Sequence, residues 1–202
     1  MSTADRPALR ARMRAARRAL PARTRLAAAE AVAENLRKNI QAFTEAKIVA
    51  GYWACDGELP LHSLLAGRPA FSYLLPRLRA DRCLDFVPWR ASDAVLANRF
   101  GIPEPATGDP VDLSAIDVIL LPLLAFNRTG ARLGSGGGYY DRSLASLAGA
   151  ARGGGPQLIG VGYALQEAAE LRAEAWDIGL HSVVTEAEWI DCRDTGRVST
   201  ES

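Results

Sequence analysis

Between Arg132 and Arg142 the chain reads RLGSGGGYYDR, four glycines, a serine and two tyrosines held between two arginines and an aspartate. Glycine at 134, 136, 137 and 138 removes side chains where something approaches the backbone closely. It also admits positive φ, so that main-chain amides can converge on an anion. If the loop opens a helix, the positive end of the helix dipole adds to that attraction. Arg132 and Arg142 supply full charges with a geometry suited to phosphate. Asp141 suits a magnesium ion of the kind that accompanies nucleotide phosphates. The chain has just two lysines, Lys38 and Lys47, so arginine must supply most of any phosphate neutralisation.

The two common nucleotide motifs do not fit this loop. A Walker A loop needs Gly-Lys-Ser/Thr, and no Gly-Lys pair occurs in the chain. A dinucleotide fingerprint needs glycine at its sixth position, which counted from Gly134 is Tyr139. The plain alternative is a glycine-rich turn with solvated charges. The adjacent Tyr139, Tyr140, Asp141 and Arg142 favour a ligand, because a turn needs neither two large aromatics nor an ion pair. Two further carboxylates stand beside aromatics: Glu58 in CDGELP, shortly after Tyr52 and Trp53, and Asp177 after Trp176 in EAWD. Unassisted, each is a surface carboxylate. His62 and His181 are isolated, and no Ser-His-Asp or Cys-His order is present.

The elements that must position these residues alternate between helix and strand. PALRARMRAARRAL puts Leu9, Met13, Ala16 and Leu20 on one helical face with arginines around the rest, and Pro21 ends it. Eight arginines and no acid lie between Arg6 and Ala29. Most are expected to be a solvated helix face, with one or two in reach of a phosphate. A second amphipathic helix carries Leu26, Val32, Leu36 and Ile40. KIVAGYWA, PAFSYLLP, CLDFVPW, IDVILLPLLAF, QLIGVGYA and HSVVTE read as strands, with IDVILLPLLAF a continuous apolar run of the kind covered on both faces. LHSLLAG, RSLASLAG and QEAAELRAEAW read as helices, ARGGGP as a connector and NRFGIPEP as extended loop. This alternation predicts an α/β domain with a parallel or mostly parallel sheet and helices on both faces. The glycine loop directly follows the best strand, at the carboxyl edge where such sheets bind ligands.

The 202 residues suit one domain spanning 1–202, with a polar tail from about Cys192. Hydrophobic content of 49% and charged content of 23% are those of a soluble globular protein. A net charge of +1 gives no field for nucleic acid or an anionic membrane. Three cysteines without metal-motif spacing argue against a disulfide framework and for a reducing cytoplasm. No apolar run reaches the length of a membrane span.

Taken in order, these segments resemble the 5-formyltetrahydrofolate cyclo-ligase family, also called 5,10-methenyltetrahydrofolate synthetases. PLLAFNRTGARLGSGGGYYDRSL carries most of the resemblance, supported by RPALR, YWACDGEL, LLPR, GIPEP, GVGYALQ and EAWD with SVVTE. It runs from the first helix to about Glu186. It implies a three-layer α/β/α sandwich related to the ribose-phosphate isomerase and CoA-transferase group. It also implies ATP- and magnesium-dependent conversion of 5-formyltetrahydrofolate to 5,10-methenyltetrahydrofolate with release of ADP and phosphate. Apart from the resemblance, the expectation is a cytoplasmic monomer without a nucleic-acid or membrane partner. Carried over by position, Arg6, Arg10 and the run Arg132, Leu133, Gly134, Ser135, Gly136, Gly137, Gly138, Tyr139 and Tyr140 bind ATP. Arg132 and Asp141 are catalytic, Asp141 and Asp177 associate with magnesium, and Trp53 and Glu58 contact the folate. The sequence departs from the family pattern at Arg6 (commonly lysine), Asn127 (often aspartate), Ser135 (often tyrosine or arginine) and Trp176 (commonly histidine). Rival readings are a non-catalytic nucleotide-, folate- or RNA-binding protein on the same fold, and an ATP-independent isomerase or transferase of the wider group.

Overall fold

Helix α1, Arg6–Arg18, begins with Pro7 in its first turn, where a missing N–H costs nothing, and ends on Arg17 and Arg18 beside its negative pole. Its buried face is Arg6, Leu9, Met13 and Arg17, so an apolar centre is flanked at each end by a buried arginine. This corrects the solvated-face expectation for those two residues. Pro21 separates α1 from α2, Ala22–Asn39, whose buried residues are Ala28, Ala29, Val32, Ala33 and Leu36. Leu26, expected on that apolar face, is 51% exposed, and Ile40 lies outside the described residues. The structure, a computed structural model, describes residues 5–39, 45–66, 70–147 and 155–193.

The strands are β1 (Ile48–Ala50), β2 (Ser72–Leu78), β3 (Leu84–Pro88), β4 (Val95–Ala97), β5 (Pro103–Pro105), β6 (Val118–Pro122), β7 (Ala125–Phe126), β8 (Arg132–Leu133), β9 (Gln157–Val161), β10 (Ser182–Val184) and β11 (Trp189–Asp191). Seven form one sheet in the order β11-β10-β9-β6-β1-β2-β3. The pairs β10/β9, β9/β6, β6/β1 and β1/β2 are parallel, and the outer pairs β10/β11 and β2/β3 are antiparallel. The expected mostly parallel α/β sheet is therefore present, with an antiparallel strand at each edge.

Alternation along the central strands divides the core between two faces. Val49, Leu120, Ile159 and Val161 pack with α2. Ala50, Ile119, Leu121 and Leu158 pack on the opposite face with Leu144 and Ile116. The second face is covered by short helical turns, among them α4 (Tyr139–Ser143) and the 3-10 turn Ala145–Leu147, while α3 (His62–Ala66) follows β1.

Four expectations need correction. IDVILLPLLAF is not one strand. The chain leaves the sheet after Pro122, and Ala125–Phe126 pairs antiparallel with Arg132–Leu133 in a separate hairpin. The glycine loop therefore follows that hairpin and not the central strand. The carbonyls freed at the break are satisfied by buried side chains: Gln166 Nε2 donates to Leu123 O (2.7 Å) and Leu124 O (2.9 Å), and Arg17 donates to Leu123 O at 3.3 Å. QEAAELRAEAW is not a helix. It contributes one residue to a 3-10 turn, Ala164–Gln166, and is otherwise irregular, its apolar Ala168 and Leu171 packing under Leu9 and Met13. NRFGIPEP is the tip and second strand of the β4/β5 hairpin. Cys192, expected to open a polar tail, is buried beside β11, and its N–H donates to His181 O. Residues from 194 onward lie outside the described ones.

Candidate functional site

A cavity of about 890 Å³ opens beyond the carboxyl ends of the central strands, in the upper part of the range for small-molecule sites. The first turns of α1, the glycine loop with α4, the segment 175–178 and the loop after β1 meet around it.

The glycine loop is set by the β7/β8 hairpin beneath it. Asn127 Oδ1 accepts from the N–H groups of Thr129 and Ala131, while Asn127 Nδ2 donates to Leu171 O at 3.0 Å. The amide thus both shapes the turn and anchors it, a role in which asparagine offers a donor that aspartate lacks. Leu133 is buried with Leu9 and Met13, so the side chain of this expected ATP-binding residue points into the packing under α1 and not into the cavity. Its neighbour Arg132, 4% exposed, pairs with Asp141 on α4. Gly136 (φ 103°) and Gly138 (φ 65°) take up left-handed backbone. A Cβ on Gly137 would lie 2.8 Å from the Tyr139 ring, so glycine is required there by the packing of Tyr139 itself. Arg142 donates to Gly137 O (2.7 Å) and Arg82 O (3.1 Å), tying the loop to the β2/β3 turn. Ser135 is exposed and lines the cavity with the glycines.

Helix α1 supplies the opposite side. Arg10 Nε donates to Gly134 O at 3.0 Å. Arg6, 7% exposed, pairs with Asp177 at 2.6 Å and lies 3.5 Å from Glu174. Asp177 is fixed further by the Glu174 N–H (2.9 Å), and the next residue, Ile178, donates its N–H to Asp141 Oδ1 at 3.4 Å. That contact brings the two expected magnesium carboxylates, Asp141 and Asp177, to one place. Their hydrogen bonds to described residues fall on Oδ1 of Asp141 and Oδ2 of Asp177, leaving the other oxygen of each for a ligand. Magnesium is held by one or two carboxylates completed by phosphate and water, and this pair fits it. The described residues contain no cluster of three or more potential metal-ligating side chains, so an all-protein cage is not what is built. The buried Nε atoms of Arg6 and Arg132 have no hydrogen-bond partner among the described residues, as donors left for an anion would.

The third wall is the loop after β1. Tyr52 donates to Leu59 O at 2.6 Å, and Trp53 packs edge-on against Trp89, ring centres 5.7 Å apart. Glu58 is a largely enclosed carboxylate, its side chain 10% exposed. It accepts from the Cys55 N–H at 3.1 Å and lies 3.8 Å from Arg17. Burial pushes its carboxyl above the usual range, opposed by the Cys55 N–H and the Arg17 charge. Burial and the Glu58 charge in turn push the Cys55 thiol up to about 12, so it stays protonated at neutral pH. Tyr140 is likewise raised by burial and by Glu58, and it too remains neutral.

The structure thus brings Arg6, Arg10, Trp53, Glu58, Arg132, Asp141, Asp177 and the loop 134–140 to one cavity. Sequence reasoning missed Arg17 and Asp56. Asp56 sits at φ 52° and accepts from Arg14 (2.8 Å), Arg17 (3.2 Å) and Arg18. The signal available was charge complementarity, an acid-free helix with arginines on every side facing the CDGE turn. It also missed the hairpin tip, where Phe100, 57% exposed, meets Tyr139 at 5.9 Å and Arg99 lies over both rings.

Comparison with known proteins shows what the chain as a whole is similar to. The chain is 34% identical over 154 residues to the 5-formyltetrahydrofolate cyclo-ligase of Escherichia coli K12, covering 71% of this chain and 82% of that one. It is 30% identical over 190 residues to the 5-formyltetrahydrofolate cyclo-ligase of Haemophilus influenzae, covering 91% and 99%. Its fold superimposes on the 5,10-methenyltetrahydrofolate synthetase of Aquifex aeolicus with a TM-score of 0.80 and 31% identity, over 98% of this chain and 97% of that one. The model of the 5-formyltetrahydrofolate cyclo-ligase family matches residues 2–186, and the chain belongs to that family.

Proposed function

We propose that the protein converts 5-formyltetrahydrofolate to 5,10-methenyltetrahydrofolate with consumption of ATP and release of ADP and phosphate. The observation that carries the reading is the convergence on one cavity of an open glycine loop, two buried arginines whose Nε donors have no partner among the described residues, and a facing wall of Trp53 and Glu58. A formamide oxygen is a poor leaving group. Transfer of the γ-phosphoryl group to it makes a good one. The neighbouring folate nitrogen then bonds to the activated carbon, loses its proton, and phosphate departs with the former formyl oxygen.

Each wall has a task in this scheme. The amides of Gly134–Gly138, with Arg10, Arg6 and Arg132, hold the phosphates and stabilise the charge that moves during transfer. Asp141 and Asp177 hold magnesium, which when bound neutralises phosphate charge. Trp53 offers a face to the flat pterin, and the Glu58 carboxylate accepts from donors on its edge. No protein nucleophile is required. Cys55, protonated at neutral pH and hydrogen-bonded to Glu58, is not poised as one. No helix among the described residues is long and apolar enough to cross a membrane, and the net charge of +1 supports a partner set without nucleic acid. We read the protein as a cytoplasmic monomer.

The test measures ADP release and methenyl absorbance with ATP, magnesium and 5-formyltetrahydrofolate, omitting each in turn. ADP should form when all three are present and stop when the folate is left out. Binding of both ligands without ADP release would instead identify a non-catalytic relative.

A further inference from the structure

Arg17 is the most enclosed charged residue described, its side chain 0% exposed, and no step above uses it. Its guanidinium reaches two segments. Nε donates to Asp56 O at 3.0 Å and NH2 to Asp56 Oδ2 at 3.2 Å, both in the turn after β1. NH1 donates to Leu123 O at 3.3 Å, where the chain leaves the sheet, and lies 3.8 Å from Glu58 Oε1. The turn presses on the same stretch of helix: a Cβ on Gly57 (φ 77°) would lie 3.5 Å from Arg17 O and from Arg18 Cα. With Asp56 and Gly57 both at positive φ, the loop that presents Glu58 turns tightly on α1.

We propose that Arg17 is a positioning residue for the folate side of the site, holding Glu58 in place and in its ionised, acceptor-only form. The inference rests on the reading of Glu58 as a folate contact. The groups that face Glu58 are Arg17 from α1, Asp56 and Cys55 from its own turn, Tyr52 from the end of β1, Tyr140 from α4 and Tyr163 after β9. The tyrosines and Cys55 are all raised and neutral near pH 7, and Asp56 is negative, so Arg17 is the cation in this set. Burial favours the protonated carboxyl, and protonation would turn an acceptor toward the pterin edge into a donor. Arg17 opposes that from behind, where it is itself closed off from solvent.

The test is the pH dependence of kcat/KM for 5-formyltetrahydrofolate in the whole protein, with KM for ATP measured alongside. Removing the cation raises the Glu58 pKa, and activity that needs the carboxylate is then lost at a higher pH. In Arg17→Gln the acid limb should move up by about one unit, a tenfold change in proton affinity. The folate KM should rise about tenfold, with the ATP KM within about twofold. Arg17→Lys keeps the charge without the fork, so its limb should return toward wild type while the folate KM stays raised. Asp56→Asn removes the anion that competes for Arg17, and asparagine tolerates the left-handed φ. Its limb should move down, and it provides a reading if Arg17→Gln does not fold. Glu58→Gln should abolish the limb and every shift in it. An unmoved limb in both Arg17→Gln and Asp56→Asn, or one that moves equally in the Glu58→Gln background, would overturn the proposal. So would an ATP KM that rises in step with the folate KM, since Arg17 would then merely brace α1. If Glu58→Gln leaves the folate KM unchanged, the reading of Glu58 itself fails and takes the inference with it.

Discussion

The cavity pairs arginine with carboxylate in two regions, but does so in opposite orientations. On the loop wall, taken together with the start of α1 that faces it, the pairs Arg132–Asp141 and Arg6–Asp177 stand at the cavity surface, with both members lining it. A bound nucleotide and its metal can divide such a pair, the phosphate taking the arginine and the cation the carboxylate. On the wall after β1, Arg17 lies behind Glu58 and Asp56, tied to main-chain oxygens. No ligand in the cavity needs to displace it. The first arrangement is a set of groups already neutralised in the free protein and able to exchange partners. The second is a fixed acceptor whose charge is maintained by its support. That contrast predicts that mutations on the loop wall will act on phosphate and metal, and mutations on the β1 wall on the folate.

The largest effect is expected at Asp141. Asp141→Ala removes a magnesium carboxylate and also leaves Arg132, 4% exposed, without its ion-pair partner. Turnover should fall at least about tenfold, the order seen when one positioned charge is lost from such a site. Raising magnesium should restore only part of it. Steady-state ADP release across a magnesium titration checks this, and unchanged kinetics would erase the distinction drawn between the walls. Next comes Gly137→Val. Its Cβ would meet the Tyr139 ring at 2.8 Å, so Tyr139 must move into space the loop keeps open. ATP affinity by isothermal titration should drop about tenfold or more, with far-ultraviolet circular dichroism unchanged. Normal ATP affinity would mean that the loop does not cradle phosphate.

How much of this was legible beforehand follows the same division. The loop wall announces itself locally: glycines, aromatics, arginine and aspartate within eleven residues need no tertiary information to suggest an anion site. The mostly parallel sheet was equally readable, because strands buried on both faces are continuous apolar runs. The β1 wall was legible only through the family resemblance, which named Trp53 and Glu58, and not from its residues alone. Glu58 reads as a surface carboxylate until α1 is laid against its turn, and Arg17 is one of eight similar arginines until the fold buries it. The continuous run IDVILLPLLAF hid a chain break, since the polar groups that permit it, Gln166 and Arg17, are distant in sequence. QEAAELRAEAW has helix-forming residues throughout, yet Phe126 O and Asn127 Nδ2 capture its Ala168 N–H and Leu171 O, so tertiary bonds override local propensity.

A smaller effect is expected at Glu58. Glu58→Gln keeps the shape and loses the charge at a largely enclosed position. The folate KM should rise about tenfold and the ATP KM should stay within about twofold, in contrast to Gly137→Val. If the ATP KM moves as much, the two walls are one electrostatic unit and the contrast between them fails.

The smallest effect concerns stability. The Asp56 carboxyl works against the cost of burial but is held below its ordinary value by hydrogen bonds from Arg14 and Arg18 and by the charge of Arg17. A depressed pKa in the folded state means that the pairing contributes fully above the unfolded value, about 3.9, and is lost as pH falls through the lower folded one. Arg18 is largely in solvent and Arg14 partly so, which screens their share. Asp56→Asn should therefore cost about 1 kcal/mol near neutral pH, or about 2–4 °C in Tm for a chain of this size. Scanning calorimetry should show that gap narrowing as both proteins are taken into acid and the wild-type carboxylate protonates. A gap that persists undiminished would assign the turn's stability to hydrogen-bond geometry rather than charge. Arg17 would then be held in place by the Asp56 and Leu123 carbonyls alone, and its charge would be available undivided to Glu58.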